Sequence, residues 1–122
     1  PAKKDMAMVF GATHYVDPTA GDPVEQIRAL TRGRGVDFAI EVVGIVEVME
    51  QAYWAARRGG TIVYVGALGI DAKLVLPAND LHGGAKTIIG CANGLGAVRT
   101  DYAKMISLVE TGRLDLGGMI TR

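Results

Sequence analysis

Residues able to do acid–base or metal chemistry are few and scattered. The two histidines, His14 and His82, have no carboxylate or cysteine at ligand spacing, so each reads as an ordinary polar residue rather than a metal ligand or general base. Cys91 is the only cysteine. It excludes an internal disulfide or thiolate cluster and reads as a small buried hydrophobe. Glu41 stands inside an apolar run, Gly35 to Gly44. A carboxyl group there is either a perturbed acid or one held by hydrogen bonds near a strand end, and the second reading is preferred. Gly94-Leu95-Gly96 precedes a helical pattern, but Arg99 occupies the third glycine position of G-x-G-x-x-G. It therefore reads as a turn rather than an anion site. No catalytic constellation emerges, so no catalytic residue and no metal ligand is assigned.

Chemistry of another kind is written at the ends of three apolar runs. Val36 to Val43 closes on Gly44, Thr61 to Val65 on Gly66, and Lys86 to Ile89 on Gly90. Near-continuous apolar runs are the pattern of parallel strands buried on both faces. In open parallel sheets, ligands sit outside the carboxyl ends of the strands. Small residues there let a flat ligand approach the backbone, and free N–H and C=O groups suit a planar amide. The chain thus reads as part of a nucleotide-binding sheet.

Helices must position those strand ends. Lys3 to Phe10 reads as the tail of a helix, with Met6 and Phe10 on one face and Gly11 as its cap. Ala12 to Val16 is expected to be a short strand ended by Asp17-Pro18. Asp22-Pro23-Val24-Glu25 is a helix start, with Asp22 as cap, Pro23 at N1 and Glu25 completing a capping box. Gly33 and Gly35 close that helix. Val36–Val43 is the next strand. A helix from about Val46 to Arg58 follows, with Met49, Ala52, Tyr53 and Ala56 on one face. Arg57-Arg58 suit its C-terminal dipole and Gly59-Gly60 stop it. Tyr53 and Trp54 are core or sheet-packing residues. Thr61–Val65 is a strand, Lys73 to Leu76 a short edge strand, and Asn79 to His82 one helical turn. Thr87–Cys91 is the last strand. A helix from about Arg99 to Thr111 carries Tyr102, Met105, Ile106 and Val109 on one face, and Leu114 to Arg122 is a tail. This alternation predicts an α/β doubly wound sheet.

The chain has 122 residues, equal numbers of acidic and basic residues and a formal charge of zero. That length fits one domain with one core. The balanced charge shows no basic stripe, which argues against nucleic acid as a partner. No apolar run is long enough to span a membrane. With no signal-peptide pattern, the expected location is cytoplasmic.

Read in order, several pieces resemble the medium-chain, zinc-type alcohol dehydrogenases. They are Gly11-Ala12-Thr13-His14-Tyr15-Val16-Asp17-Pro18, Leu30-Thr31 to Gly35-Val36-Asp37, and Glu41-Val42-Val43-Gly44. Next come Gly59-Gly60-Thr61-Ile62-Val63-Tyr64-Val65-Gly66, Lys86-Thr87-Ile88-Ile89-Gly90, and Gly112-Arg113-Leu114-Asp115-Leu116 before Ile120-Thr121. The resemblance covers essentially the whole chain. It implies that residues 1–122 are the second half of a dinucleotide-binding Rossmann domain. The sheet would then be a partial one, lacking the first two strands and their glycine-rich turn. It also implies NAD or NADP as cofactor, zinc held in a separate catalytic domain, and an alcohol or aldehyde substrate in the parent enzyme. A fragment of this kind is expected to be inactive by itself.

By the same resemblance, Val42, Val43 and Gly44 line the cofactor groove near the nicotinamide-side ribose. Val65, Gly66 and Ala67 would meet the nicotinamide ring and its carboxamide. Cys91, Ala92 and Asn93 follow the last strand, near the nicotinamide and a subunit contact. The bare edges of Val36–Val43 and Thr87–Cys91 then predict a homo-oligomer. A zinc-free quinone-type reductase is the alternative within the superfamily. A non-catalytic α/β module binding a nucleotide or a partner is the alternative outside it.

Overall fold

Asp22 does at the start of a helix what its position predicts. Its Oδ1 accepts the backbone N–H of Val24 at 2.7 Å and of Glu25 at 3.4 Å, with Pro23 in the first turn. These bonds satisfy donors that a helix N-terminus otherwise leaves open. The computed structural model describes residues 3–92 and 96–120. The chain divides into two compact units, residues 1–91 and 92–122.

In the first unit, helix α1 (Lys3–Val9) is followed by Gly11, whose φ of +95° is the left-handed conformation that favours glycine just beyond a helix end. Helix α2 (Pro23–Leu30) leads to strand β1 (Val36–Glu41), helix α3 (Val46–Ala55), strand β2 (Ala56–Tyr64), helix α4 (Ala78–Gly84) and strand β3 (Thr87–Gly90). The three strands form one parallel sheet in the order β1-β2-β3. This is the α/β, partial doubly wound arrangement expected from the sequence.

The core lies where α3 meets β2. Met49 and Tyr53 of α3 pack with Ala56, Ile62 and Tyr64, and Ala39, Leu74 and Leu76 pack around them. Full burial of a side chain such as Ile62 stabilises a fold by about 1.5–3 kcal/mol. Polar groups in this layer are paired: the Tyr64 hydroxyl donates to the Met49 carbonyl at 3.0 Å, and Arg28 Nη2 on α2 donates to the Trp54 carbonyl at 2.9 Å. Lys86, at the foot of β3, donates to the Tyr53 carbonyl at 2.9 Å and lies 3.6 Å from Asp80 of α4. Its ammonium also sits 4.0 Å from the centre of the Tyr53 ring. The Tyr53 hydroxyl donates to Asp80 at 2.7 Å, which closes the cluster.

Several expected boundaries shift, each for a physical reason. Residues 12–16 form no strand, because a strand exists only within a ladder and no strand of the sheet pairs with them. The same holds for residues 73–76; Leu74 and Leu76 go to the core instead. Helix α3 stops at Ala55, not Arg58, since Ala56 is already extended and pairs with Val36. Arg57 to Gly60 then bulge out of the β1–β2 ladder, whose register jumps from Val36–Ala56 to Phe38–Thr61. Arg57 is held there by Asp37, which its guanidinium meets through Nε. The arginine bond, and Arg34 beside it, hold the Asp37 carboxyl below the usual carboxylate range. Strand β1 ends at Glu41, not Val43, β2 ends at Tyr64, and β3 at Gly90. The turn expected at Asn79 to His82 is the longer helix α4.

The second unit contains helix α5 (Val98–Glu110) and a short helix α6 (Leu116–Met119), where a plain tail was expected. Asp115 caps α6 by accepting the Gly118 N–H at 2.9 Å. Tyr102, Met105, Ile106 and Val109 do share one face of α5, and with Leu114 and Leu116 they line an apolar groove of about 380 Å³.

Candidate functional site

The carboxyl ends of the three strands stand side by side: Glu41 pairs with Tyr64, and Tyr64 with Gly90. Glu41 organises what comes after them. Its backbone carbonyl accepts Val65 N–H at 2.8 Å and Gly66 N–H at 3.2 Å. Its side-chain Oε1 accepts Val43 N–H at 2.6 Å and Gly44 N–H at 2.7 Å. One residue therefore ties down the loop after β1 and the loop after β2 together. It is only 2% exposed, and its Oε2 is buried without a hydrogen-bond partner. These side-chain bonds also explain why β1 ends early. They turn the backbone of Val43 and Gly44 back toward Glu41 and off the ladder.

The two loops meet backbone to backbone. Gly44 has φ +80°, and a Cβ added to it would lie 2.3 Å from the Ala67 carbonyl oxygen. A Cβ on Gly66 would lie 2.1 Å from the Gly44 nitrogen. Any side chain is excluded at both positions. Val42 and Val43 remain exposed beside this contact, as does Val65. Cys91 joins the row through its N–H, which donates to the Tyr64 carbonyl at 2.8 Å. So of the residues expected to line the groove, Val42, Val43, Gly44, Val65, Gly66, Ala67 and Cys91 gather at one end of the sheet of the first unit. Ala92 is exposed and opens the second unit. Asn93 lies outside the described residues, as do Gly94 and Leu95 of the glycine pair before α5.

A profile of the zinc-binding dehydrogenases matches residues 1–111. The chain belongs to that family. It is the cofactor-binding part of a medium-chain alcohol dehydrogenase fold. An NADP-dependent isopropanol dehydrogenase of Entamoeba histolytica is 35% identical over 96% of this chain and 32% of its own length. An (R,R)-butanediol dehydrogenase of Neisseria gonorrhoeae is 32% identical over 99% of this chain and 33% of its own. Among solved structures, benzyl alcohol dehydrogenase from Acinetobacter calcoaceticus superimposes with a TM-score of 0.83 at 32% identity. The match covers 91% of this chain and 30% of that one. An alcohol dehydrogenase zinc-binding domain protein from Burkholderia ambifaria gives 0.84 at 34%, covering 93% and 30%. The chain thus spans about a third of the length of the curated relatives it matches.

Two groups associated with the dehydrogenase family fare differently here. Toward a flat nicotinamide group, the strand ends present the exposed Val42, Val43 and Val65, while the bare sides of Gly44 and Gly66 are turned against the facing loop. The fit for zinc fails. Among the described residues, no three His, Cys, Asp or Glu side chains are grouped to hold a metal ion. His14 bonds its neighbour Thr13 at 3.0 Å, and His82 lies on α4.

Sequence reading assigned Glu41 a structural hydrogen bond but missed that it holds both loops. The available signal was the acid at the end of an apolar run, three residues before a glycine. It also missed the Lys86–Asp80–Tyr53 cluster, whose members are distant in sequence.

Proposed function

We propose that this chain forms the nicotinamide side of the cofactor groove in an NAD- or NADP-dependent alcohol dehydrogenase. The observation that carries the reading is the Glu41-centred clasp. It brings Val42–Gly44 and Val65–Ala67 together at the carboxyl ends of parallel strands, where open α/β sheets take their ligands. Bound there, the cofactor would donate or accept the hydride exchanged with an alcohol or aldehyde. The part played by this chain is to bind and orient. Five of the loop amides are already engaged, so what is offered to an amide is the remaining loop backbone beside the exposed Val42, Val43 and Val65, held in place by the close Gly44–Gly66 contact. The residues for polarising a substrate oxygen are not among those described, so the 122-residue chain alone is inactive in this reading. The single free Cys91 suits a reducing compartment such as the cytoplasm.

The test is an assay of the chain, and of a protein spanning the full length of its relatives, with alcohols and each nicotinamide cofactor. Hydride transfer by the long form and none by the chain alone is expected. Turnover by the chain alone, or none by the long form, would count against the reading.

A further inference from the structure

Four backbone amides of the proposed groove are held by one buried residue. Val43 and Gly44 give theirs to Glu41 Oε1, and Val65 and Gly66 give theirs to the Glu41 carbonyl. The backbone half of this arrangement continues the strand pairing and would survive any substitution. The side-chain half would not. Without Oε1, the Val43 and Gly44 amides lose the acceptor they have among the described residues, and Gly44, at φ +80°, loses a bond that holds it against Ala67. Loops of this kind otherwise sample many conformations, and ordering them on binding weakens affinity. Glu41 is too deeply buried to touch a ligand, at 2% exposure.

We infer that Glu41 is a positioning residue for the cofactor groove. Its side chain pre-sets the Val43–Gly44 turn against Gly66 and Ala67, so cofactor affinity depends on a group that never contacts the cofactor. This rests on the reading of the strand ends as the cofactor face. Because Oε2 has no partner, only one oxygen does the positioning. A glutamine can present that oxygen equally well, while its amide nitrogen is buried without an acceptor. Stability and binding are therefore expected to separate.

The experiment follows NAD titration of the 122-residue chain by backbone amide NMR shifts, together with thermal unfolding and amide exchange without ligand. Glu41→Gln is expected to unfold at lower temperature yet bind NAD within about threefold of wild type. Glu41→Ala is expected to bind at least tenfold more weakly, so that at the NAD concentration half-saturating wild type it shows about a fifth of the wild-type shift. Its Val43 and Gly44 amides should also exchange faster. Tyr53→Phe, which loses the bond to Asp80 far from the groove, serves as a control that lowers stability and keeps affinity. Should Glu41→Ala not fold, Glu41→Met is read in its place, since it fills the same space with no oxygen to accept either amide. Affinity within twofold of wild type in that variant overturns the inference and leaves the cofactor reading standing, as does affinity that simply tracks stability across all variants. A wild type whose loop amides do not respond to NAD overturns the cofactor reading, and the inference with it.

Discussion

Gly66 lies so close to Gly44 that a methyl group on its Cα would stand 2.1 Å from the Gly44 amide nitrogen and 2.7 Å from Glu41 Oε2. The first obstacle is backbone and the second a buried side chain, so neither yields cheaply. Gly66→Ala is expected to destabilise the chain by about 1–3 kcal/mol, the usual cost of overpacking. Gly69→Ala, where nothing lies within 4 Å and no positive φ is imposed, serves as the reference and should be nearly neutral. Urea denaturation of the two variants checks this.

That contact shows what was and was not legible beforehand. Gly44 and Gly66 were readable as strand-end glycines, because each closes an apolar run. Their mutual contact was not, because it depends on the register that sets Glu41 opposite Tyr64. Likewise, Asp22-Pro23 announces α2 locally, through a cap that needs only its own helix. Residues 12–16 look like a strand in isolation, yet strand formation depends on a neighbour that sequence does not name. Arg57 to Gly60 carry every sign of a helix end, and tertiary pairing of Ala56 with Val36 overrides them.

Tyr53 should ionise late. Burial, and then its bond to Asp80, push its phenol up to about 12. Ultraviolet absorbance across an alkaline titration is expected to show a tyrosine transition near pH 12 that disappears in Tyr53→Phe. A folded-state pKa above the unfolded value stabilises below the unfolded value and fades as pH rises through the folded one. The Tyr53 contribution is thus lost between about pH 10 and 12. Lys86 runs the other way. Burial lowers its pKa, so the folded state is relieved of a buried charge as pH climbs toward the unfolded lysine value. Asp80→Asn should bring the Tyr53 transition partway back.

The Lys86–Asp80–Tyr53 cluster should be non-additive. Lys86 is almost fully buried, 4% exposed in its side chain, and its removal strands the Tyr53 carbonyl while leaving Asp80 to the Tyr53 hydroxyl. Lys86→Met is expected to cost about 1–3 kcal/mol, the penalty of a buried group left unsatisfied. A double-mutant cycle with Asp80→Asn should return a coupling of about 0.5 kcal/mol or more. Additivity within error would mean that the ion pair contributes nothing of its own.

Strand β1 lies at one side of the sheet, with Phe38 70% and Ile40 66% exposed. An edge strand with exposed apolar side chains is a template for another chain. The chain is expected to associate at micromolar concentration, and Ile40→Lys to shift it toward monomer. Light scattering decides it; a wild type that stays monomeric contradicts the expectation.

The central claim is that the strand ends of the first unit are the cofactor face, and mapping NAD-induced amide shifts tests it most directly. Saturable shifts concentrated at Val42–Gly44, Val65–Ala67 and Cys91 are expected, with a dissociation constant weaker than about 1 μM, or less than about 8 kcal/mol of binding free energy. Shifts centred on another surface, or none at saturating NAD, would contradict it.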